Sequence, residues 1–169
     1  MLHYLVRQKN YQIIRNDCIF FQIDADSYGT FLANGKNGGI CAKRTSLMRA
    51  TDIDASEIPD LVPILAVLLS FCKGESRIYN AGRLRMKESD RLAATAGELS
   101  HLGVNITEGA DSLTVIGGQT INCGTVSSRH DHRIAMALAI AACRAEGDEV
   151  RITDAYSAVK KSYPDFFDV

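Results

Sequence analysis

Two stretches of this chain, Asp60 to Cys72 and Asp131 to Cys143, are built alike: an aspartate opens a run of apolar residues and a cysteine closes it. Leu61-Val62-Pro63-Ile64-Leu65-Ala66-Val67-Leu68-Leu69 and Ile134-Ala135-Met136-Ala137-Leu138-Ala139-Ile140 have no polar side. A helix without a polar face cannot lie on a surface facing water, so each run predicts a buried helix with the aspartate at its start. The two runs belong to an internal repeat. Arg77-Ile78-Tyr79-Asn80-Ala81 follows the first, and Arg151-Ile152-Thr153-Asp154-Ala155 follows the second. A lysine, Lys87 or Lys161, stands six positions beyond each alanine. The offset is 71 residues from Asp60 to Asp131 and 74 from Arg77 to Arg151, so one three-residue insertion aligns segments of about 50–103 and 120–169.

Repeated strand–helix units with one buried helix each need sheets outside and helices inside. The fold class expected is α/β, built of βαβαββ units. The 169 residues, 46% of them hydrophobic, suffice for one domain with a core but not for two. A net charge of −1 excludes a general nucleic-acid binder. Cys18, Cys41, Cys72, Cys123 and Cys143 are odd in number and dispersed, as in a reducing cytosol. Cys72 and Cys143, ending apolar runs, read as small buried hydrophobes. No secretory signal stands at the N-terminus and no apolar run is long enough to cross a bilayer, so a cytoplasmic chain without membrane partners is expected.

Taken in order, Gln12–Ile14 and Cys18–Ile23 read as a hairpin around Arg15-Asn16-Asp17, and the glycine-rich stretch from Gly29 to Lys43 reads as a loop. A short strand is expected near Leu47–Ile53. Asp60 reads as the cap of the first apolar helix, with Pro63 tolerated in its first turn. A strand at Ser76–Asn80 leads into an amphipathic helix starting near Ser89, with Leu92, Ala96, Leu99 and Leu102 on one face and Gly103 as its stop. Val104–Glu108 and Leu113–Ile116 make a second hairpin. Strands at Thr120–Val126 and Glu149–Thr153 flank the second apolar helix.

Folding alone does not explain Arg83-Leu84-Arg85-Met86-Lys87-Glu88-Ser89-Asp90-Arg91. Cations at a helix N-terminus oppose its partial positive charge, and an anion arriving between them resolves the conflict. Arg133, just after Asp131, repeats the anomaly. The simpler readings are a solvated charge run for the first stretch, a cap for Asp60 and a solvated pair for Lys160-Lys161. His130-x-His132 lacks a third ligand at a useful spacing, so a metal is not indicated. Neither the phosphate loop nor the dinucleotide loop of glycines is present, so no nucleotide cofactor is expected. Matching units place matching helix starts on one side, which would gather Asp60, Lys87–Arg91, Asp131–Arg133 and Lys161. Glu88 among those bases would then carry a proton once an anion arrives.

Leu84-Arg85-Met86-Lys87-Glu88-Ser89-Asp90-Arg91, Asp131-His132-Arg133-Ile134-Ala135-Met136-Ala137 and Lys161-Ser162-Tyr163-Pro164-Asp165-Phe166 resemble three signatures of the 5-enolpyruvylshikimate-3-phosphate synthases. Asp52-Ile53-Asp54 with Ile58-Pro59-Asp60 resembles a fourth. The resemblance runs from about residue 50 to the end. It implies the enolpyruvyl transferase fold, here an incomplete domain forming most of the C-terminal domain of a two-domain enzyme. It also implies transfer of the enolpyruvyl group of phosphoenolpyruvate to the 5-hydroxyl of shikimate 3-phosphate, with release of phosphate and without metal or cofactor. By position, Asp60 resembles the base at the attacking hydroxyl, and Lys87 contacts shikimate 3-phosphate with it. Arg91, Arg133 and Lys161 resemble the phosphoenolpyruvate clamp. Glu88 resembles the acid at the methylene carbon, with His132 beside it. Arg83 stands where some members carry an asparagine. Partners implied are the two substrates and the missing N-terminal half, without which the chain is expected to be inactive. A non-catalytic anion-binding module, or the sister transferase acting on UDP-N-acetylglucosamine, are the alternatives.

Overall fold

The computed structural model describes residues 49–160 and 162–167, preceded by two short strands, β1 (Leu32–Asn34) and β2 (Gly39–Cys41). The chain divides into two compact units, residues 1–49 and 50–169. In the first, β1 and β2 pair antiparallel, with Leu32 opposite Cys41 and Asn34 opposite Gly39. The stretch from Gly29 to Lys43 is therefore not all loop, as its glycines suggested. Three-residue strands are too short to show a two-residue alternation, so composition marks such a region without marking its ladder. The hairpin expected over Gln12–Ile23 lies outside the described residues.

The second unit runs β3 (Ile53–Asp54), α1 (Val62–Ser70), β4 (Gly74–Tyr79), α2 (Arg91–His101), β5 (Asn105–Glu108), β6 (Leu113–Gly117), β7 (Ile121–Ser127), α3 (His132–Ala142), β8 (Ala145–Thr153) and α4 (Ala155–Val159). Single 3-10 turns, Pro59–Leu61 and Gly82–Met86, precede α1 and α2. One sheet has the order β3-β4-β6-β5, with β3 and β4 parallel and the other pairs antiparallel. β7 and β8 form a separate parallel pair.

The helix α1 packs against α3, α2 and β6. Val62, Pro63, Leu65, Ala66, Val67 and Leu69 are buried, but Ile64 and Leu68 are only partly so, short of the burial on every side expected of a helix with no polar face. Each large side chain removed from water there contributes about 1.5–3 kcal/mol before its entropy cost. The helix α3 departs from expectation in the same way. Ile134, Ala135, Ala137, Leu138 and Ala141 are buried, but Met136 and Ala139 are only partly so. Those two lie against a small cluster of Ala135, Ala155, Val159 and Phe166, part of it supplied by the five-residue helix α4, which no sequence periodicity announced. Cys72 is buried, and burial pushes its thiol up to about 11. Cys143 is exposed at the C-cap of α3 instead of buried, its thiol donating to the Ala139 carbonyl.

β8 begins four residues before the predicted Glu149. The extra residues pair through their main chain around a bulge between Asn122 and Gly124, where Gly147 (φ 125°) faces the Cys123 side chain. The two pentapeptides Arg77–Ala81 and Arg151–Ala155 have matching surroundings. Each ends a strand with a parallel partner, Ile78 beside Ile53 and Ile152 beside Val126. Asn80 and Asp154 share left-handed backbone, at φ 58° and 61°. Ala81 and Ala155 are both buried. The next backbone N–H on the partner strand closes back in both places, Ala55 to Tyr79 and Ser128 to Thr153.

Candidate active site

Asp60 does not cap α1. That position belongs to Leu61, which makes no side-chain cap bond. The reason is local: a capping side chain accepts from the N–H two or three residues on, and after Asp60 the Val62 N–H already donates to the Pro59 carbonyl while Pro63 has none. The Asp60 carboxylate turns instead toward the starts of α2 and α3. Its Oδ1 accepts from Arg91 Nη1 at 2.8 Å and lies 3.6 Å from Lys87 Nζ. Its Oδ2 pairs with Arg133 Nη2 at 3.1 Å, while its backbone carbonyl accepts from Arg133 Nη1 at 3.3 Å.

α2 begins at Arg91, later than the predicted start near Ser89. Asp90 caps it by accepting from the Ala93 N–H at 3.1 Å. Lys87 is extended and Glu88 precedes the helix, so only Arg91 of the three stands on its first turn. The Arg91 side chain is 1% exposed, and each guanidinium nitrogen meets a different carboxylate. Nε donates to Asp131 Oδ2 at 2.6 Å, Nη1 to Asp60, and Nη2 to Glu88. A cation at the wrong helix end is tolerated because three anions surround it.

Asp131 is fully buried and caps α3, accepting from the Arg133 N–H at 2.9 Å. Ser89 Oγ also donates to it, at 3.1 Å. Burial, the largest single influence, pushes its carboxyl upward. The bonds from Arg91, the Arg133 N–H and Ser89, with the Arg91 charge, outweigh it and hold the group below the usual carboxylate range. The Arg133 side chain is 33% exposed. His132, the first residue of α3, is partly buried beside it in sequence. Lys161 lies outside the described residues.

The structure thus joins Asp60, Lys87, Glu88, Arg91, Asp131 and Arg133 in one network of three cations and three carboxylates, with Lys87 and Glu88 on its exposed side. Asp131 has a task that sequence did not reveal, since a cap is a local feature and its bond to Arg91 is not. Arg85 was also missed. Its Nη1 pairs with Asp90 at 2.8 Å and Glu108 at 2.7 Å, and it donates to the Ala110 and Gly109 carbonyls at 2.8 and 2.7 Å. It fastens the charged stretch to the β5–β6 turn, which frees Lys87 and Glu88 for the site. Among the described residues no group of three or more His, Cys, Asp or Glu is placed to hold a metal ion, and no helix is long and apolar enough to cross a membrane.

Comparison with known proteins supplies a context for this network. The family model of EPSP synthase (3-phosphoshikimate 1-carboxyvinyltransferase) matches residues 11–169. A 3-phosphoshikimate 1-carboxyvinyltransferase of Clostridioides difficile is 51% identical over 124 residues, covering 73% of this chain and 28% of that protein. One of Clostridium botulinum is 48% identical over 122 residues, with 72% and 28% covered. An EPSP synthase structure from Acinetobacter baumannii superposes with a TM-score of 0.68 at 25% identity, over 84% of this chain and 34% of the other. The aligned part of the chain spans about 28% of the length of those two curated relatives.

Proposed function

The chain belongs to the EPSP synthase family, and from that premise we propose that it carries part of a site for enolpyruvyl transfer from phosphoenolpyruvate to the 5-hydroxyl of shikimate 3-phosphate, with release of phosphate. The observation that carries the reading is the convergence of Lys87, Arg91 and Arg133 on the carboxylate of Asp60. Cations that share one resident carboxylate are spaced to share the carboxylate or phosphate of a small guest. Lys161 completes the clamp in this reading.

The transfer requires a proton to leave the attacking hydroxyl and another to reach the methylene carbon of phosphoenolpyruvate. Asp60 is the proposed base and, with Lys87, a contact to shikimate 3-phosphate. Glu88 is the proposed acid, with His132 beside it. Charge balance supports this division. With Lys161 the site of this reading sets four cations against three carboxylates, so an anion carrying more than one charge brings an excess that protonation of an exposed carboxylate such as Glu88 would relieve. It also defines how Arg91 takes part: its Nη groups reach a guest only when Asp60 or Glu88 exchanges for it.

Residues 50–103 and 120–169 are, in the same reading, two copies of one unit, which is why their helix starts face one site. The remaining contacts come from the N-terminal half of the longer relatives, and alignment of two substrates with exclusion of water needs both sides. Phosphate release from both substrates is therefore expected to be negligible with the purified chain and to appear when that half is supplied in trans. Release at an ordinary enzymatic rate by the chain alone would overturn the division of the site. Failure to gain activity with the half in trans, while anions still bind, would leave an anion-binding module.

A further inference from the structure

We propose that Glu98 is a positioning residue for the cation network, acting through the turn that delivers Asp131 and Arg133; the role rests on the functional reading above. Arg91, Thr95 and Glu98 recur at helical spacing on one buried face of α2. The two ends of that face grip the two ends of the segment between β7 and α3. Arg91 holds Asp131, and Glu98 holds Ser127 and Arg129.

Glu98 is 2% exposed, and both its oxygens are used. Oε2 accepts from the Ser127 N–H at 2.8 Å and Oε1 from Arg129 Nε at 2.7 Å, with the exposed His101 3.7 Å from Oε2. A buried carboxylate so placed is costly unless it is fully bonded, and here it is bonded to one short segment. That segment needs holding. Arg129 and His130 are consecutive non-glycine residues in left-handed backbone, at φ 52° and 57°. Such a pair persists only where surroundings over-determine it. The Arg129 N–H donates to Ser127 Oγ at 3.1 Å and the Asp131 N–H to the Ser128 carbonyl at 2.9 Å, so the turn is laced from Ser127 onward. Its exit residue, Asp131, caps α3 and takes Arg91, and two residues later Arg133 meets Asp60. The aim of Arg133 is therefore set by a chain of bonds that starts at Glu98.

Glu98→Gln tests this, because it keeps shape and one acceptor for Ser127 but turns an amide N–H₂ toward the Arg129 donor. Binding of phosphoenolpyruvate and inorganic phosphate by the chain would be measured at a temperature where circular dichroism shows each variant folded, together with the Nε–H resonances of Arg91 and Arg133. The expected result is at least fivefold weaker anion binding with a displaced Arg133 resonance, and substantial recovery in Glu98→Gln/Arg129→Gln, where two amides can pair. Affinity within twofold of the parent, with only a lower melting temperature, would overturn the proposal. Should Glu98→Gln not fold, Arg129→Ala, whose side chain is 55% exposed, is expected to weaken both anions two- to threefold, and unchanged binding overturns the role. A parent chain that ignores both anions defeats the functional reading instead. The Arg133 resonance then decides alone: displacement in either variant supports the positioning role, and an unmoved resonance rejects it.

Discussion

Asp60 and Asp131 each stand just before an apolar helix, yet they do opposite things. Asp131 is sealed from water, caps its helix, and spends its second oxygen on Arg91. Asp60 caps nothing, keeps its side chain 43% exposed and gathers three cations. The difference traces to the first helical turn beyond each aspartate. Arg133, two residues after Asp131, offers its N–H to the cap, whereas Val62, two residues after Asp60, gives its N–H to the Pro59 carbonyl and Pro63, one further on, has none. A 3-10 turn and a proline thus leave Asp60 as a carboxylate that serves the cation network, and Arg91, bonded to both aspartates, ties the two helix starts together.

The sharpest way to break this comparison is to remove the tie. Arg91→Leu strands the buried Asp131 charge and is expected to cost about 3–5 kcal/mol of stability, read as a shift in the urea midpoint. A loss below about 1 kcal/mol would mean that the carboxylates do not depend on Arg91. Asp131→Asn keeps an acceptor for the cap but removes the charge beside Arg91, and about 2–3 kcal/mol at neutral pH is expected. Because the folded carboxyl lies below its ordinary value near 3.9, its contribution is complete well above that value and fades as pH falls through the folded one. The gap between parent and Asp131→Asn should therefore be widest near neutrality and close in acid. A gap that grows on acidification would place the folded value on the other side of the ordinary one.

How far these features could be read in advance depends on how local their causes are. The α1 core run, the β5–β6 hairpin, Gly103 (φ 82°) as the stop of α2, and the gathering of Asp60, Lys87, Arg91 and Arg133 all follow from periodicity, turn residues or the repeat. Asp60 reads as a cap because aspartate before an apolar run usually is one; Pro63, three residues on, removes one N–H it could take, and the 3-10 turn that occupies the other, on Val62, leaves no mark in the sequence. Glu98 has the look of solvent-facing charge on an amphipathic helix, since its partners Ser127 and Arg129 lie 29 and 31 residues away. Arg85 is hidden likewise, as its carbonyl partners lie 24 and 25 residues on. The brief α4 and the β1–β2 ladder are too short to carry a period at all.

Two smaller effects sharpen the contrast between the exposed and buried ends of the network. Arg133→Ala is expected to weaken phosphoenolpyruvate binding by about 1.5–3 kcal/mol, as loss of a charge-assisted contact would. Its half-open pair with Asp60 should contribute under about 1 kcal/mol to stability, so the variant should melt close to the parent. Equal losses in both measurements would assign Arg133 to the scaffold with Arg91. The smallest change concerns the turn that carries Asp131. His130 is exposed and holds φ 57°, a conformation that costs a residue with a Cβ about 1–2 kcal/mol and glycine nearly nothing. Glycine also loses more chain entropy on folding, about 0.5–1 kcal/mol, which offsets much of that relief. His130→Gly is therefore expected to raise stability by about 0.5 kcal/mol, measured by urea unfolding. With Asp131 and Glu98 still gripping both ends, anion affinity should stay unchanged. A fall in affinity would mean that the stiffness of a non-glycine residue at this point, and not only the bonds around it, aims Arg133 at the site.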